Sequence, residues 1–470
     1  MRSIKKLVLI PAFFVLINIL SINIPVSATV DPGFELESKG VYMASLDSDG
    51  DVIYAKNENT KLRPASTVKI MTAILALEME SNLDKIATIT YDAFDEFHGN
   101  NPNYQGASQA LIEPTQKNIT YRDLVNSLML ASACESANIL AYNLGGNSIP
   151  NFIKMMNDKA QEIGAVNTHF ANPHGLHHEG NYTTAYDLYL ITKYAIKNVP
   201  GFMEIVEKTT YKMPPNKNNP NGYNISSTIT MQNAGSDFYY EGVKGVKTGS
   251  INYFYELDDK GNPTGNKEAG TRSLVTTATK NGYSYIIVTL ESPFFTENGE
   301  KYTASAINDH TKLYNWAFTN FKRTLVIEKN EGIENVKVSK GKDKDEIEAI
   351  ATEDLYYILP SYLDKSAVTR EISFEKEIYP APIEKGQSLG IVKLLYGGKQ
   401  IGEVQLVAKD SVELSMIEEY KERASEIIDS GWFKASIIIL FLLISTFLIA
   451  RTIQREKKRK MAKFNRKRRK

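Results

Sequence analysis

The chain has 470 residues, enough for two or three domains, and its 42% hydrophobic and 23% charged residues are those of a globular protein rather than a disordered or fibrous one. The formal net charge of zero hides an asymmetry: residues 451–470 hold twelve Lys or Arg and one Glu, the first 28 hold three basic residues and no acid, and the body between them carries a net of −14. A single cysteine, Cys134, fits an exported protein without an internal disulfide and excludes a structural cysteine–zinc site.

At the N-terminus, Arg2, Lys5 and Lys6 precede an apolar run from Leu7 to Leu20, and Val26-Ser27-Ala28 supplies small residues for cleavage. Residues 1–28 therefore read as a secretory signal peptide, and Pro11 and Asn18 argue against an uncleaved anchor. Residues 40–56 predict two short strands about an Asp-Gly turn. The "DSDGD" within them lacks the spacing and closing Glu of a calcium loop. Pro64 then opens "PASTVKIMTA", an apolar helix start in which Ser66 is a good N-cap type. Residues 120–143, 148–163 and 184–197 have helical periodicity, whereas 210–235 are polar, rich in Asn and Pro, and mostly loop.

β-type sequence returns at 242–250, 272–279 and 283–291, with Asn281-Gly282 as a hairpin turn, and 303–321 closes the region as a helix. Strands at both ends with helices between predict one sheet covered by helices, an α/β (α+β) domain spanning 29–325. Short strand-like runs predict a small all-β domain at 326–412, followed by an amphipathic linker helix at 413–432. Residues 433–450 are an apolar transmembrane helix, and the basic tail 451–470 beside it stays cytoplasmic, which leaves the body outside the cell. The tail's place next to the span favours topology and anionic lipid over nucleic acid.

Three stretches carry chemistry. Ser66 and Lys69 lie three apart and share a helix face, so serine and amine sit side by side. Alone, S-x-x-K is expected about twice in a chain of this length, and an ordinary buried helix start reads the same way. "EGVKGVKTGS" places Lys247-Thr248-Gly249 in the first strand of the late β block, otherwise a strand edge with a turn. "MLASACESANILAY" places Ser132-Ala133-Cys134 after an apolar helix, where the chain can re-enter a cleft.

S-x-x-K, a middle serine motif and K-T-G, in that order, resemble the signature of the penicillin-recognising serine enzymes. Over roughly residues 35–412 the sequence is similar to the D-alanyl-D-alanine carboxypeptidases, the low-molecular-mass penicillin-binding proteins. "FANPHGLHHEGNYTTAYDLYLIT" (170–192) and "APIEKGQSLGIV" (381–392) share in that resemblance. It implies a β-lactamase/transpeptidase-like domain with a central antiparallel sheet flanked by helices, then a small all-β domain and a C-terminal transmembrane helix.

The resemblance also implies roles. Ser66 is the nucleophile, Lys69 its base and Ser132 a proton relay to the leaving amine. Lys247 and Thr248, with Gly249 and Ser250, bind the substrate's terminal carboxylate, and the backbone N–H groups of Ser66 and Ser250 form the oxyanion hole. An ordinary lysine is protonated near neutral pH, so Lys69 needs a lowered pKa from a helix N-terminus, from burial or from Lys247 as a second cation. The family's middle motif ends in Asn, where this chain has Cys134. A literal Ser136-Ala137-Asn138 lies one turn later, but "LASACESA" matches the family's "LPSANDAA" in register, which keeps Ser132 as the motif serine and Cys134 in the substrate-binding position.

No metal and no cofactor are expected. "HGLHHE" (174–179) is not the H-E-x-x-H zinc pattern and reads as a loop with solvated imidazoles, and no G-x-S-x-G elbow supports a Ser-His-Asp triad. The expected function is removal of the terminal D-alanine from peptidoglycan stem peptides, with β-lactams as acylating ligands and the cytoplasmic membrane as anchor. A β-lactamase shares the nucleophile but not the extra β domain or the anchor. A DD-transpeptidase and a catalytically weak wall-binding protein stay open because of Cys134.

Overall fold

Five strands form one antiparallel sheet in the order β2-β1-β7-β6-β5: β1 (Gly40–Ser45), β2 (Val52–Lys56), β5 (Val243–Leu257), β6 (Pro263–Lys280) and β7 (Tyr283–Pro293). The computed structural model describes residues 31–47, 51–98, 101–104, 106–258, 262–296 and 298–467; the expected signal peptide and the Asp49-Gly50 turn lie outside the described residues. Strands from both ends of the region meet in this sheet, with β7 at its centre. Every residue from Tyr285 to Val288 is fully buried. Successive strand side chains point to opposite faces, so both faces of β7 must be covered. Ile286, Val288 and Leu290 join the apolar cluster of the helical side, while Tyr285 and Ile287 join a second cluster with Leu313 and Tyr314 of the last helix.

The helical side comprises α1 (Lys69–Met79), α2 (Asp92–His98), α3 (Tyr121–Leu130), α4 (Cys134–Leu144), α5 (Ile149–Ile163), α6 (Ala185–Asn198) and α7 (Phe202–Val206). Helix α8 (Ser305–Asn320) supplies the other layer. All of Lys69 to Ala76 is buried, as befits a helix apolar on every side at the centre of a domain. Helix α3 starts with a reciprocal capping box between Thr120 and Asp123. The helical stretch expected over 120–143 is broken at 131–133, where Ser132 adopts a left-handed φ of 60°. The segment expected to be mostly loop also holds a short hairpin, β3 (Thr210–Met213) with β4 (Tyr223–Ser226).

Residues 251–257 and 263–270 extend the K-T-G strand and its partner as a long antiparallel pair in which Tyr253 pairs with Ala269 and Tyr255 with Lys267. Its inward side chains, Ile251 and Phe254, form a small apolar cluster with Ala65. A second unit runs from Arg323 to Tyr357 and from Leu363 to the C-terminus. It contains a six-stranded sheet in the order Thr369–Phe374, Ser388–Tyr396, Lys399–Ala408, Glu346–Ala351, Gly332–Ser339 and Ile378–Pro380. Leu389, Val392, Leu394 and Leu406 are fully buried in its core. Helices α9 (Met416–Asp429) and α10 (Gly431–Lys467) follow. Helix α10 is long and apolar enough to cross a membrane, which is compatible with membrane anchoring.

Ile286 and Ile287 point into different cores. Ile286→Ala and Ile287→Ala should each destabilise the first unit by about 2–5 kcal/mol in urea unfolding, and a variant as stable as the parent would contradict the two-sided packing of β7.

Candidate active site

The chain enters α1 through a 3-10 turn, Ala65–Val68. The N-cap of the turn is Pro64 and that of α1 is Val68, with no side-chain cap at either. The capping role expected for Ser66 is thus corrected: Thr67 Oγ1 bonds back to the Pro64 carbonyl at 2.7 Å and closes the turn, leaving the Ser66 hydroxyl free to face the next turn. Lys69 Nζ lies 3.0 Å from Ser66 Oγ.

Ala65 is held at a left-handed φ of 52° while almost fully buried. That conformation costs an L-residue roughly 1–2 kcal/mol and persists because its neighbours enforce it. Two glycines bring those neighbours in. A Cβ on Gly175, itself at φ +79°, would lie 2.0 Å from the Ala65 carbonyl oxygen. A Cβ on Gly249 would lie 3.0 Å from both Ala65 Cβ and the Pro64 carbonyl oxygen. The 172–176 loop and the K-T-G strand therefore press directly on the turn that carries Ser66.

Lys69 is fully buried. Besides Ser66, its Nζ contacts the His174 carbonyl oxygen at 2.5 Å and Cys134 Sγ at 3.5 Å. Burial pushes its pKa below the ordinary lysine value, against smaller opposing effects from Cys134 and Glu135. Lys247 is also fully buried and donates to the Thr248 carbonyl at 2.9 Å. Burial pushes it well below the ordinary value, and the like charge of Lys69 adds to the effect. Thr248 Oγ1 is 2.7 Å from Thr228 Oγ1, Gly249 is buried against the turn, and Ser250 is exposed.

Ser132 is 4% exposed in the break between α3 and α4. Cys134 starts α4, with its backbone N–H donating to the Ser108 carbonyl at 2.8 Å. Burial raises the thiol's pKa, so it keeps its proton, and the S–H points to the Ser132 carbonyl at 3.9 Å. Asn138 serves another purpose: its amide donates to the Ala93 carbonyl at 3.1 Å and to Glu96. Cys134, not Asn138, therefore faces Lys69.

Several groups beside these were missed from sequence. A cavity of about 270 Å³ adjoins the K-T-G strand, lined in part by Thr228, Thr230, Thr248, Arg272 and Ser273. The hydroxyl oxygens of Thr230 and Ser273 are buried there without a protein partner. Arg272 stacks over the Phe294 ring at 4.3 Å and donates through Nε to the Tyr302 carbonyl at 2.8 Å. Pairing 242–250 with 272–279 in register would have found it, because Arg272 sits directly opposite Ser250.

The solvated-imidazole reading of residues 174–179 is corrected for His174 and His177, whereas His178 is exposed as expected. His174 is fully buried, and the His177 side chain is 7% exposed against the Phe254 ring. Their ring nitrogens are met by carboxylates, Glu96 for His174 and the exposed Glu179 for His177. Among the described residues no cluster of three or more His, Cys, Asp or Glu suits a metal ion.

The model of the D-alanyl-D-alanine carboxypeptidase family matches residues 28–293, and that of the penicillin-binding protein 5 C-terminal domain matches residues 321–414. D-alanyl-D-alanine carboxypeptidase DacF of Bacillus subtilis is 29% identical over 383 residues, covering 80% of this chain and 86% of its own. DacA of Haemophilus influenzae is 26% identical over 371 residues, covering 78% and 83%. Among solved structures, a peptidoglycan synthesis regulatory factor (PBP3) from Streptococcus pneumoniae aligns with a TM-score of 0.60 at 22% identity, over 81% of this chain and all of its own. Penicillin-binding protein 5 from Haemophilus influenzae aligns at 0.57 and 22%, over 81% and 98%. These two likenesses concern the fold. The first family match alone takes in more than half of the chain, and the protein belongs to the D-alanyl-D-alanine carboxypeptidase family as a serine-type carboxypeptidase.

Proposed function

We propose that the protein removes the terminal D-alanine from peptidoglycan stem peptides through an acyl-enzyme on Ser66, and that penicillins acylate the same hydroxyl. The observation that carries this reading is the set of three partners around Lys69 Nζ. A neutral amine has two N–H bonds and one lone pair. In the neutral form the His174 carbonyl at 2.5 Å and Cys134 Sγ at 3.5 Å can take the two N–H bonds, which leaves the lone pair for Ser66 Oγ at 3.0 Å. Lys69 accepts the Ser66 proton as Oγ bonds to the carbonyl carbon of the penultimate D-alanine. The peptide C–N bond then breaks, and Ser132 relays the proton to the departing amine. Water hydrolyses the acyl-enzyme.

Two features support a peptide with a free acid end. Strand β5 lies at the edge of the sheet, where an extended peptide can add backbone hydrogen bonds. The cavity beside Thr248 offers hydroxyls and the Arg272 guanidinium, a set suited to a carboxylate. The oxyanion would be met by the backbone N–H groups of Ser66 and Ser250, donors of a kind that contribute about 3 kcal/mol each. In this reading residues 1–28 are removed, 29–325 are catalytic, 326–412 form the β domain and 413–432 lead to a single span at 433–450. The basic residues 451–470 stay in the cytoplasm and the catalytic domain lies outside. Cys134 in contact with Lys69 favours one second reading, a DD-transpeptidase. Product analysis with an added amine acceptor separates the two: free D-alanine with a shortened peptide supports hydrolysis, and a new amide supports transfer.

A fluorescent penicillin should label the full-length protein and not Ser66→Ala; equal labelling of the two would refute Ser66 as nucleophile. The acylation rate should rise with pH through the lowered pKa of Lys69 and level off below the ordinary lysine value of 10.5, because only the neutral amine takes the proton. A rate still climbing as pH reaches that value would count against Lys69 as base. Cys134→Ala removes one weak acceptor from Lys69 and should slow acylation by about tenfold or less, measured as the labelling rate constant.

A further inference from the structure

Helix α2 carries a carboxylate that reaches the loop holding Lys69. Glu96 Oε1 accepts from His174 Nε2 at 2.9 Å and from the Asn138 amide. The His174 ring is fully buried, and its Nδ1 accepts the Leu176 backbone N–H at 3.1 Å. A backbone N–H can only donate, so the imidazole proton sits on Nε2, facing Glu96. The rings of Phe97 and Tyr104 meet the imidazole edge-on, with centroids at 5.5 and 5.7 Å. The carbonyl of this same residue takes Lys69 Nζ at 2.5 Å. His174 thus joins Glu96 through its ring and Lys69 through its backbone.

The cluster is assembled from four separate parts of the chain. Asn138 of α4 donates both to Glu96 and to the Ala93 carbonyl, which fixes α2 against α4. Thr72 of α1 donates to the Pro173 carbonyl at 2.6 Å, and Asn172 Oδ1 accepts the Gly175 N–H at 2.7 Å. The loop is therefore tied on its α1 side, and Glu96 holds its opposite side. Burial pushes the Glu96 carboxyl upward, but the hydrogen bonds from His174 and Asn138 outweigh it and keep the group below the usual carboxylate value.

We propose that Glu96 is a positioning residue for the base: through the His174 ring it fixes the carbonyl that takes one N–H of Lys69, and so aims the amine lone pair at Ser66. This rests on the reading of Ser66 and Lys69 given above. Without the carboxylate, the Nε2–H is left buried and unpaired, and residue 174 shifts to satisfy it. The carbonyl moves with the residue, and Lys69 turns with its acceptor. Misplacement on that scale slows a reaction without weakening ligand binding.

The test is stopped-flow acylation of the full-length protein in detergent by a fluorescent penicillin, with the dissociation constant of the initial complex and the acylation rate constant measured separately. Glu96→Ala should lower the rate constant by about 10–100-fold and leave the dissociation constant unchanged. Glu96→Gln should restore most of the rate, because its carbonyl oxygen can accept from both His174 and Asn138. Thermal unfolding checks that the variants fold; if the alanine variant does not, Glu96→Met keeps the side-chain length without the acceptor and should show the same fall. An acceptor-free variant that acylates at the parental rate, a loss confined to the dissociation constant, or a glutamine variant as slow as alanine would each overturn the role of Glu96. A parental protein that fails to label would instead refute the reading of Ser66.

Discussion

An amine sealed from water with no carboxylate hydrogen-bonded to it is the constraint on which the site depends. Lys69 and Lys247 are both fully buried, and the described partners of their Nζ atoms are a hydroxyl, a thiol and two backbone carbonyls. Glu135, next in sequence to Cys134, is itself buried and accepts from the Ala110 N–H. Burial raises its pKa to about 7, so near neutral pH it is only partly ionised and compensates the lysines poorly. Two cations crowded together with so little opposing charge favour release of a proton. The pocket thereby favours the neutral amine that the proposed serine nucleophile would need.

The fold delivers that pocket by pressing three segments onto one turn. Residues 64–69, 172–176 and 247–249 are far apart in sequence, and their backbones approach one another closely. At Gly175 a Cβ would collide with the Ser66 turn, and at Gly249 it would make a tight contact with it. The central strand β7 reaches the same place, because Glu291 near its end accepts the Arg63 N–H at 3.0 Å and pairs with Lys39. Strain at Ala65 is offset by this packing, and the serine that follows is presented on a rigid edge rather than on a mobile loop.

Some of this was legible in the sequence, for definable reasons. Serine and lysine three apart on an apolar helix start must lie together, so local geometry alone brings Ser66 to Lys69. The β-type run 283–291 and the Asn281-Gly282 turn likewise disclose a hairpin at the heart of the sheet. What stayed hidden depends on contacts between distant segments. A polar run with three histidines has the composition of a solvated loop, yet His174 is buried because α2 and the aromatic rings of Phe97 and Tyr104 close over it. Glu96 carries no motif, and only the folded chain brings it to that imidazole. Ser66 looked like a cap because composition favours one there, whereas the 3-10 turn removes the geometry a cap requires.

The segment 251–270 shows how a feature with no evident chemistry becomes part of the site. Its polar, Gly- and Asn-containing composition suits a surface loop as well as a hairpin. In the fold it prolongs β5 and β6, and Phe254 is 3% exposed beneath the Arg63 guanidinium, which lies 4.1 Å from the ring centre. Phe254 and Ile251 form one apolar cluster with Ala65, the residue held in left-handed conformation beside Ser66. Farther out, Asn103 and Tyr255 exchange two hydrogen bonds, from the side-chain amide to the Tyr255 carbonyl and from the Tyr255 N–H back to the side-chain oxygen. The hairpin is thus clamped at both ends of its buried face, once on the turn that carries Ser66 and once on the segment that also brings Tyr104 to His174. The K-T-G strand, the Ser66 turn and the loop that holds Lys69 are consequently linked by packing as well as by the hydrogen bonds of Lys69.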